Sequence, residues 1–171
     1  MRPGSIIVTS LRDAPSQSVQ HRATHVIGIL GPEAEHPVFG TVTGERHLRL
    51  SFHDVAAATP GLAAPRVDDM SKLLAFLMDW NGASPLLIHC WAGISRSTAT
   101  GYIATCLLRP LEDEMALARE LRLASPSATP NPLLVSLADA ALGREGRMKA
   151  AMAAIGRGAD AFEGTPFTLE V

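Results

Sequence analysis

Leu86-Leu87-Ile88-His89-Cys90-Trp91-Ala92-Gly93-Ile94-Ser95-Arg96-Ser97 runs from unbroken apolar residues into a cysteine, then past a glycine to an arginine. An apolar run without alternation suits a strand covered on both faces. The largely apolar segment that follows, Ser97 to Leu108, is long enough for a helix and is ended by Pro110. A strand, a tight loop and a helix in that order form the repeating unit of an α/β domain, in which ligands bind beyond the carboxyl ends of the strands. Cys90 lies at such an end.

The flanking sequence fits the same architecture. Upstream, Ser5 to Val8 and His25 to Leu30 are short β-rich runs, the second closed by Gly31-Pro32, and His47 to Phe52 alternates as a half-buried strand does. Asp13-Ala14-Pro15-Ser16 is expected to cap a short helix. Val67, Met70, Leu73, Leu74, Leu77 and Met78 recur at helical spacing and predict an amphipathic helix over Val67 to Trp80. Downstream, helices are expected over Ser97 to Leu108, Glu112 to Leu123, Asn131 to Leu142 and Glu145 to Ile155. The Gly-rich end, "GRGADAFEGTPFTLEV" (156–171), reads as a loose tail or a docking arm. The expected fold is α/β: a mostly parallel central sheet flanked by helices, with the Cys90-to-Arg96 loop between a central strand and a helix.

Composition narrows the function. At 171 residues the chain suits one domain, and 15 basic against 17 acidic residues give a net charge of −2, so no bulk attraction to nucleic acid or anionic lipid is expected. Cys90 and Cys106 give no disulfide framework and no zinc-ligand spacing. The N-terminal residues are too polar for a signal-peptide core, and no apolar run approaches membrane-spanning length. A soluble cytoplasmic protein with no metal or organic cofactor is the expectation.

The residue types in the loop belong to anion chemistry. Backbone N–H groups of Trp91, Ala92, Gly93, Ile94 and Ser95, with the positive end of the following helix, make a cup for an oxyanion. Gly93 lets the backbone curl, and Arg96 offers a planar fork to two oxygens. The helix terminus and the arginine both favour Cys90 as thiolate, the nucleophilic form. Ser97 is expected to donate a hydrogen bond to the sulfur. His89 is expected to organise the loop by hydrogen bonding, and Trp91 either lines the pocket mouth or packs beneath the loop.

These residues resemble a known signature. "HCWAGISRS" (89–97) matches His-Cys-x-x-Gly-x-x-Arg-Ser/Thr of the cysteine-dependent protein tyrosine phosphatases and is most similar to their compact dual-specificity branch. "SPSATPNPLLVSL" (125–137) is similar to that family's later turn and helix near the site. On this resemblance residues 1–142 form a phosphatase-like catalytic domain, and 143–171 a C-terminal helix and tail of the same domain. The resemblance implies a carboxylic acid on a mobile loop upstream of the cysteine. Asp54, 36 positions before Cys90 (90 − 54), follows a strand and opens the loop "HDVAAATPGLAAP" (53–65). Asp68 and Asp69 compete, but they suit the first turn of a helix.

The implied reaction has two steps: Cys90 attacks phosphorus as Asp54 protonates the leaving oxygen, then water hydrolyses the phosphocysteine. Phosphate, sulfate or vanadate are expected to occupy the loop. Trp91, Ala92, Ile94 and Ser95 are all non-basic, which favours a phosphorylated protein or small phosphomonoester over a highly charged inositol phosphate. An inositol phosphate would need its extra positive charge from elsewhere, from His53 or Arg66. Two other classes share such a loop: a phospho-binding module with little turnover, and a thiolate enzyme such as an arsenate reductase or sulfurtransferase. Arsenate reduction needs a resolving thiol. Cys106 lies ten residues into the helix, about 15 Å along its axis, beyond the ~7 Å that a disulfide spans.

Overall fold

The computed structural model describes residues 4–171. Five strands form one sheet: β1 (Ser5–Thr9), β2 (His25–Leu30), β3 (His47–Ser51), β4 (Leu86–His89) and β5 (Phe167–Glu170). Their order is β3-β2-β4-β1-β5. The first four run parallel, and β5 closes the sheet antiparallel to β1. The helices are α1 (Ala14–His21), α2 (Val67–Trp80), α3 (Arg96–Leu108), α4 (Glu114–Ala124), α5 (Pro132–Ala141) and α6 (Arg147–Ile155). No described helix is long and apolar enough to cross a membrane.

Strand alternation sorts the core into two layers. Ile6, Val8, Ile27, Ile29, Leu86 and Ile88 face one side and meet α2 through α6 in the main core, with Leu73, Leu77, Tyr102 and Leu134. Ile7, Val26 and Leu87 face the other side, where Ala14 of α1 and Phe39 cover them. This second layer is thin. Helix α3 lies in the middle of the helical side and is buried from Arg96 to Cys106. That accounts for its weak amphipathicity.

Capping sets the helix starts. The Asp113 carboxylate accepts the Ala116 N–H at 3.1 Å and the Asn131 side-chain oxygen accepts the Leu134 N–H at 3.0 Å. At α2 the Asp69 carboxylate accepts the Arg66 N–H at 2.8 Å, and Asp68 pairs with Lys72 at 3.6 Å. The Asp13 side chain makes no cap bond at α1, contrary to expectation. The Ser10 hydroxyl, one turn earlier, accepts the Asp13 N–H at 3.2 Å.

The C-terminal stretch departs from the sequence expectation. Instead of a loose tail, residues 156–166 cross the carboxyl end of the sheet and lead into β5. There Phe167 and Leu169 are buried while Thr168 and Glu170 are exposed, and Phe167 stands opposite Val8 and Leu169 opposite Ile6. Met148 and Ala151 of α6 join the same core.

Candidate active site

β4 ends at His89 and α3 begins at Arg96, so Cys90 to Ser95 make the turn at the carboxyl end of the central strand. Gly93 has φ +72°, and a Cβ there would stand 2.8 Å from the Ser10 nitrogen and 2.9 Å from the Thr9 carbonyl carbon. Backbone conformation and crowding by β1 both require glycine. Neighbouring segments bind the loop's carbonyls from outside. Leu11 N–H donates to Trp91 O (3.1 Å), Gly164 N–H to Ala92 O (2.8 Å), Thr129 N–H to Ile94 O (2.9 Å) and Asn131 N–H to Ser95 O (3.2 Å). In a trans peptide a carbonyl turned outward sends the next N–H inward. The Gly93 N–H does so, donating to Cys90 Sγ at 3.3 Å. The loop therefore has a donor-lined interior, as an anion cup needs.

Cys90 lies at the base of this cup and is only 2% exposed. Its sulfur is 3.1 Å from Ser97 Oγ. Arg96 is 8% exposed and donates through Nη1 to the Phe52 carbonyl at 2.8 Å. Its buried Nε has no hydrogen-bond partner among the described residues. One end of the guanidinium is thus anchored, and the Nε edge remains free to bind two oxygens. Ala92, Ile94 and Ser95 complete the rim, partly buried, while Trp91 is 63% exposed and does not pack beneath the loop. His89, fully buried, places Nδ1 3.3 Å from the Cys90 carbonyl oxygen. Burial pushes its pKa down to about 4, so the ring is neutral near pH 7 and its Nδ1–H donates to that carbonyl.

Asp54 is brought against this loop. Its Oδ1 accepts from Ser95 Oγ at 2.7 Å and from Asn131 Nδ2 at 2.8 Å, while Oδ2 makes neither bond. Asn131 Nδ2 also donates to the Val55 carbonyl at 3.0 Å. Asp54, Ile94, Ser95, Thr129, Arg157 and Phe162 line a cleft of about 550 Å³ beside the loop. The connection that follows Asp54 is closed at its base by the His53 N–H, which donates to the Ala63 carbonyl at 2.7 Å. His53 Nδ1 accepts the Ala63 N–H at 2.8 Å, so Nε2–H donates to Glu33 at 2.6 Å. That hydrogen bond holds the Glu33 carboxyl below the usual range. His53 is thus occupied by this loop, Arg66 stands at the start of α2, and Asp68 and Asp69 serve the first turn of α2.

Cys106 is fully buried in α3, and burial pushes its thiol up to about 11. Both cysteines are free thiols. Three further contacts of the site are not readable from the sequence. Asn131 reaches Asp54 across 77 residues, the Ser10 hydroxyl donates to Glu163 at 2.9 Å across 153, and Gly164 lies against the loop backbone. Asn131 does carry a signal, its place between two prolines in the stretch that resembles a turn near the site, but that signal does not specify its bond to Asp54.

The same architecture occurs in solved structures. DUSP15 aligns over 93% of this chain and 99% of its own at TM-score 0.62 and 21% identity. Human DUSP28 aligns over 87% and 94% at TM-score 0.59 and 19% identity. This is the dual-specificity phosphatase fold. The human tyrosine phosphatase-like serine/threonine/tyrosine-interacting protein has it too, aligning over 84% of this chain and 99% of its own at TM-score 0.60 and 19% identity. The sequence itself matches no protein-family model and no curated protein. Identities near 20% establish the fold, and the chemistry is argued from the residues above.

Proposed function

We propose that the chain is a phosphomonoester hydrolase of the protein-tyrosine or dual-specificity phosphatase type, acting through a phosphocysteine. The observation that carries this is the pairing of a buried Cys90 Sγ with the free Nε edge of Arg96 around an inward-facing set of backbone N–H groups. A phosphoryl group in the cup presents phosphorus to Cys90, and Arg96 and the loop N–H groups hold its equatorial oxygens as charge develops. Sγ attacks in line, the bond to the leaving oxygen breaks, and Asp54 supplies the proton from Oδ2. Water then attacks the phosphocysteine with Asp54 as base, and Ser97 Oγ stabilises the departing thiolate.

The cleft bears on the substrate. Its lining holds Asp54 and Asp160 against Arg157, which already pairs with Asp160 at 3.0 Å. A wall with that balance favours a monoester on a protein side chain over a polyphosphorylated headgroup. Two free cysteines, one of them a nucleophilic thiol, suit a reducing, cytoplasmic setting.

The test is hydrolysis of an aryl phosphate by the purified chain between about pH 5 and 8, with Cys90→Ser and Asp54→Asn alongside. Turnover abolished in Cys90→Ser and strongly reduced in Asp54→Asn is the expected result. Because the fold is shared with a protein named as a tyrosine phosphatase-like interacting protein, the experiment also measures vanadate affinity. Tight binding without turnover in the unaltered chain would replace this reading with that of a phospho-binding module.

A further inference from the structure

Behind the catalytic loop, on the α1 side of the sheet, three histidines from different elements converge. His36 comes from the β2–β3 connection, His47 from the first residue of β3 and His89 from the last of β4. One ring nitrogen from each lies within 4.8 Å of the others. His89 is 0% exposed and His47 5%, with His36 half-buried. Among the described residues, Nε2 of His89, Nε2 of His47 and both nitrogens of His36 have no hydrogen-bond partner. Buried polar nitrogens are rarely left this way, and three rings aimed at one point call for a common ligand.

The surroundings are built to admit one. Gly28 lies between the rings: a Cβ there would stand 2.7 Å from His89 Nε2 and 2.8 Å from His36 Nδ1. Gly28 pairs with His89 on β4, and Val26, two residues before it, pairs with His47 on β3, so all point to one face. Phe39 packs edge-on against His47 at 5.3 Å and tilted against His89 at 5.9 Å, giving the hollow an apolar wall. The His89 Nδ1 bond to the Cys90 carbonyl leaves Nε2 as the bare lone pair facing the hollow. Histidines that bind metals are held the same way, by a second bond from the other ring nitrogen.

We propose that His36, His47 and His89 bind a divalent transition-metal ion of the zinc class. Three neutral imidazoles with no carboxylate suit zinc, cobalt, nickel or copper and do not suit magnesium or calcium. The neutral imidazole nitrogen is the form that ligates, and the unpartnered ring nitrogens of the three histidines are placed to offer it. The contact of His36 with the Leu50 backbone falls short of hydrogen-bond geometry. Tetrahedral zinc–nitrogen bonds of 2.0–2.1 Å set the nitrogens about 3.3 Å apart, so the rings draw together by at most ~1.5 Å. His36 lies on a coil segment, and the rings of His47 and His89 can adjust by rotation about their side-chain bonds. The Arg49 cation faces the cluster and opposes a metal, but it is exposed and therefore screened. A fourth coordination position remains for water. The bound ion ties the β2–β3 connection to the end of β4, immediately before Cys90.

The test uses the full chain carrying Cys90→Ser, so that the catalytic thiol cannot be the ligand and turnover is not the readout. Chelator-stripped protein is titrated with zinc and, separately, with cobalt(II), whose visible absorption reports tetrahedral nitrogen coordination. We expect one ion per chain and a Tm that rises by roughly 5–10 °C at a hundredfold excess over Kd. His36→Gln and His47→Gln are expected to weaken binding by about 100-fold or more while the metal-free proteins stay folded by circular dichroism. Two variants are used so that misfolding of either leaves the other informative. No saturable binding of zinc or cobalt, or binding that survives both substitutions, overturns the proposal. Neither result bears on the phosphatase reading.

Discussion

Asn131 holds Asp54 to the loop, and removing its side chain separates fold stability from proton delivery. It is 2% exposed and makes three side-chain bonds: it caps α5 through Leu134 N–H, donates to the Val55 carbonyl, and donates to Asp54 Oδ1. Loss of the cap costs about 1 kcal/mol, and the bond to the buried Val55 carbonyl about another 1 kcal/mol. The charge-assisted bond to the exposed Asp54 adds ~1 kcal/mol, the low end for such bonds because solvent competes for the carboxylate. Asn131→Ala should therefore lose about 3 kcal/mol, or ~6–12 °C in Tm for a domain of this size. Asn131→Asp keeps the cap acceptor but has no Nδ2–H, and it sets a second carboxylate against Asp54. In Asn131→Asp the cap share of that loss is spared, whereas kcat/KM should still fall. The kinetic loss has a signature that a merely structural role would lack. A misplaced proton donor costs about 100-fold with a poor leaving group such as an alkyl phosphate, and under about tenfold with p-nitrophenyl phosphate, whose leaving oxygen needs little protonation. Calorimetry and paired substrate kinetics measure both quantities. Equal losses on the two substrates would refute the positioning argument, and an unchanged Tm in Asn131→Ala would refute the bond accounting.

Gly93→Ala forces a side chain into left-handed backbone beside Thr9 and Ser10, so we expect a loss of about 1–3 kcal/mol by denaturant melt, and kcat/KM down about 100-fold as the loop shifts. Cys106 should resist iodoacetamide in the native chain near neutral pH while Cys90 reacts, as peptide mass mapping would show; equal labelling of both would contradict the packing of α3. The thiol of Cys106 is raised in the folded state, so the stability it contributes is complete below about pH 9 and is lost as pH rises toward about 11. Alkaline melts of Cys106→Ala should lack that part of the decline. Deleting residues 167–171 uncovers the β1 edge and removes Phe167 and Leu169 from the core, costing roughly 3–6 kcal/mol at 1.5–3 kcal/mol per side chain. Chemical denaturation would show a tail of no consequence if stability were unchanged.

The parts of this fold that were legible in the sequence are those whose signals are local. Leu86 to Ile88 reads as a central strand because every position is apolar, and it is flanked by β1 and β2 as such a strand must be. Val67 to Trp80 reads as a helix because its apolar positions repeat at helical spacing. β5 was missed because its alternation lasts only four residues after a Gly-rich crossing, too short to outweigh loop composition. In the candidate site, Cys90, Gly93, Arg96 and Ser97 share one nine-residue stretch and were readable together. Ser10 and Gly164 were not, because they reach the loop only through the sheet order and the return of the chain along β1, and the stretch around Asn131 resembled a turn near the site without specifying the bond to Asp54.

The same limit hid the histidine cluster, and strand geometry explains why. His36, His47 and His89 are 11 and 42 residues apart (47 − 36; 89 − 47), a spacing that matches no metal motif. What assembles them is register: Val26 beside His47 and Gly28 beside His89 bring both rings to one face of β2. Adjacent residues of a strand point to opposite faces, so His89 turns toward α1 and Phe39 while Cys90 belongs to the helical side. One dipeptide thus presents an imidazole to one surface of the sheet and a thiol to the other. The His89 bond to the Cys90 carbonyl joins them, so a change of position at His89 is transmitted directly to the start of the Cys90-to-Arg96 loop. Gly28 permits this arrangement from the neighbouring strand. Gly28→Ala should therefore disturb the histidines first and the loop only through them, a sequence of effects that crystallography of that variant would resolve.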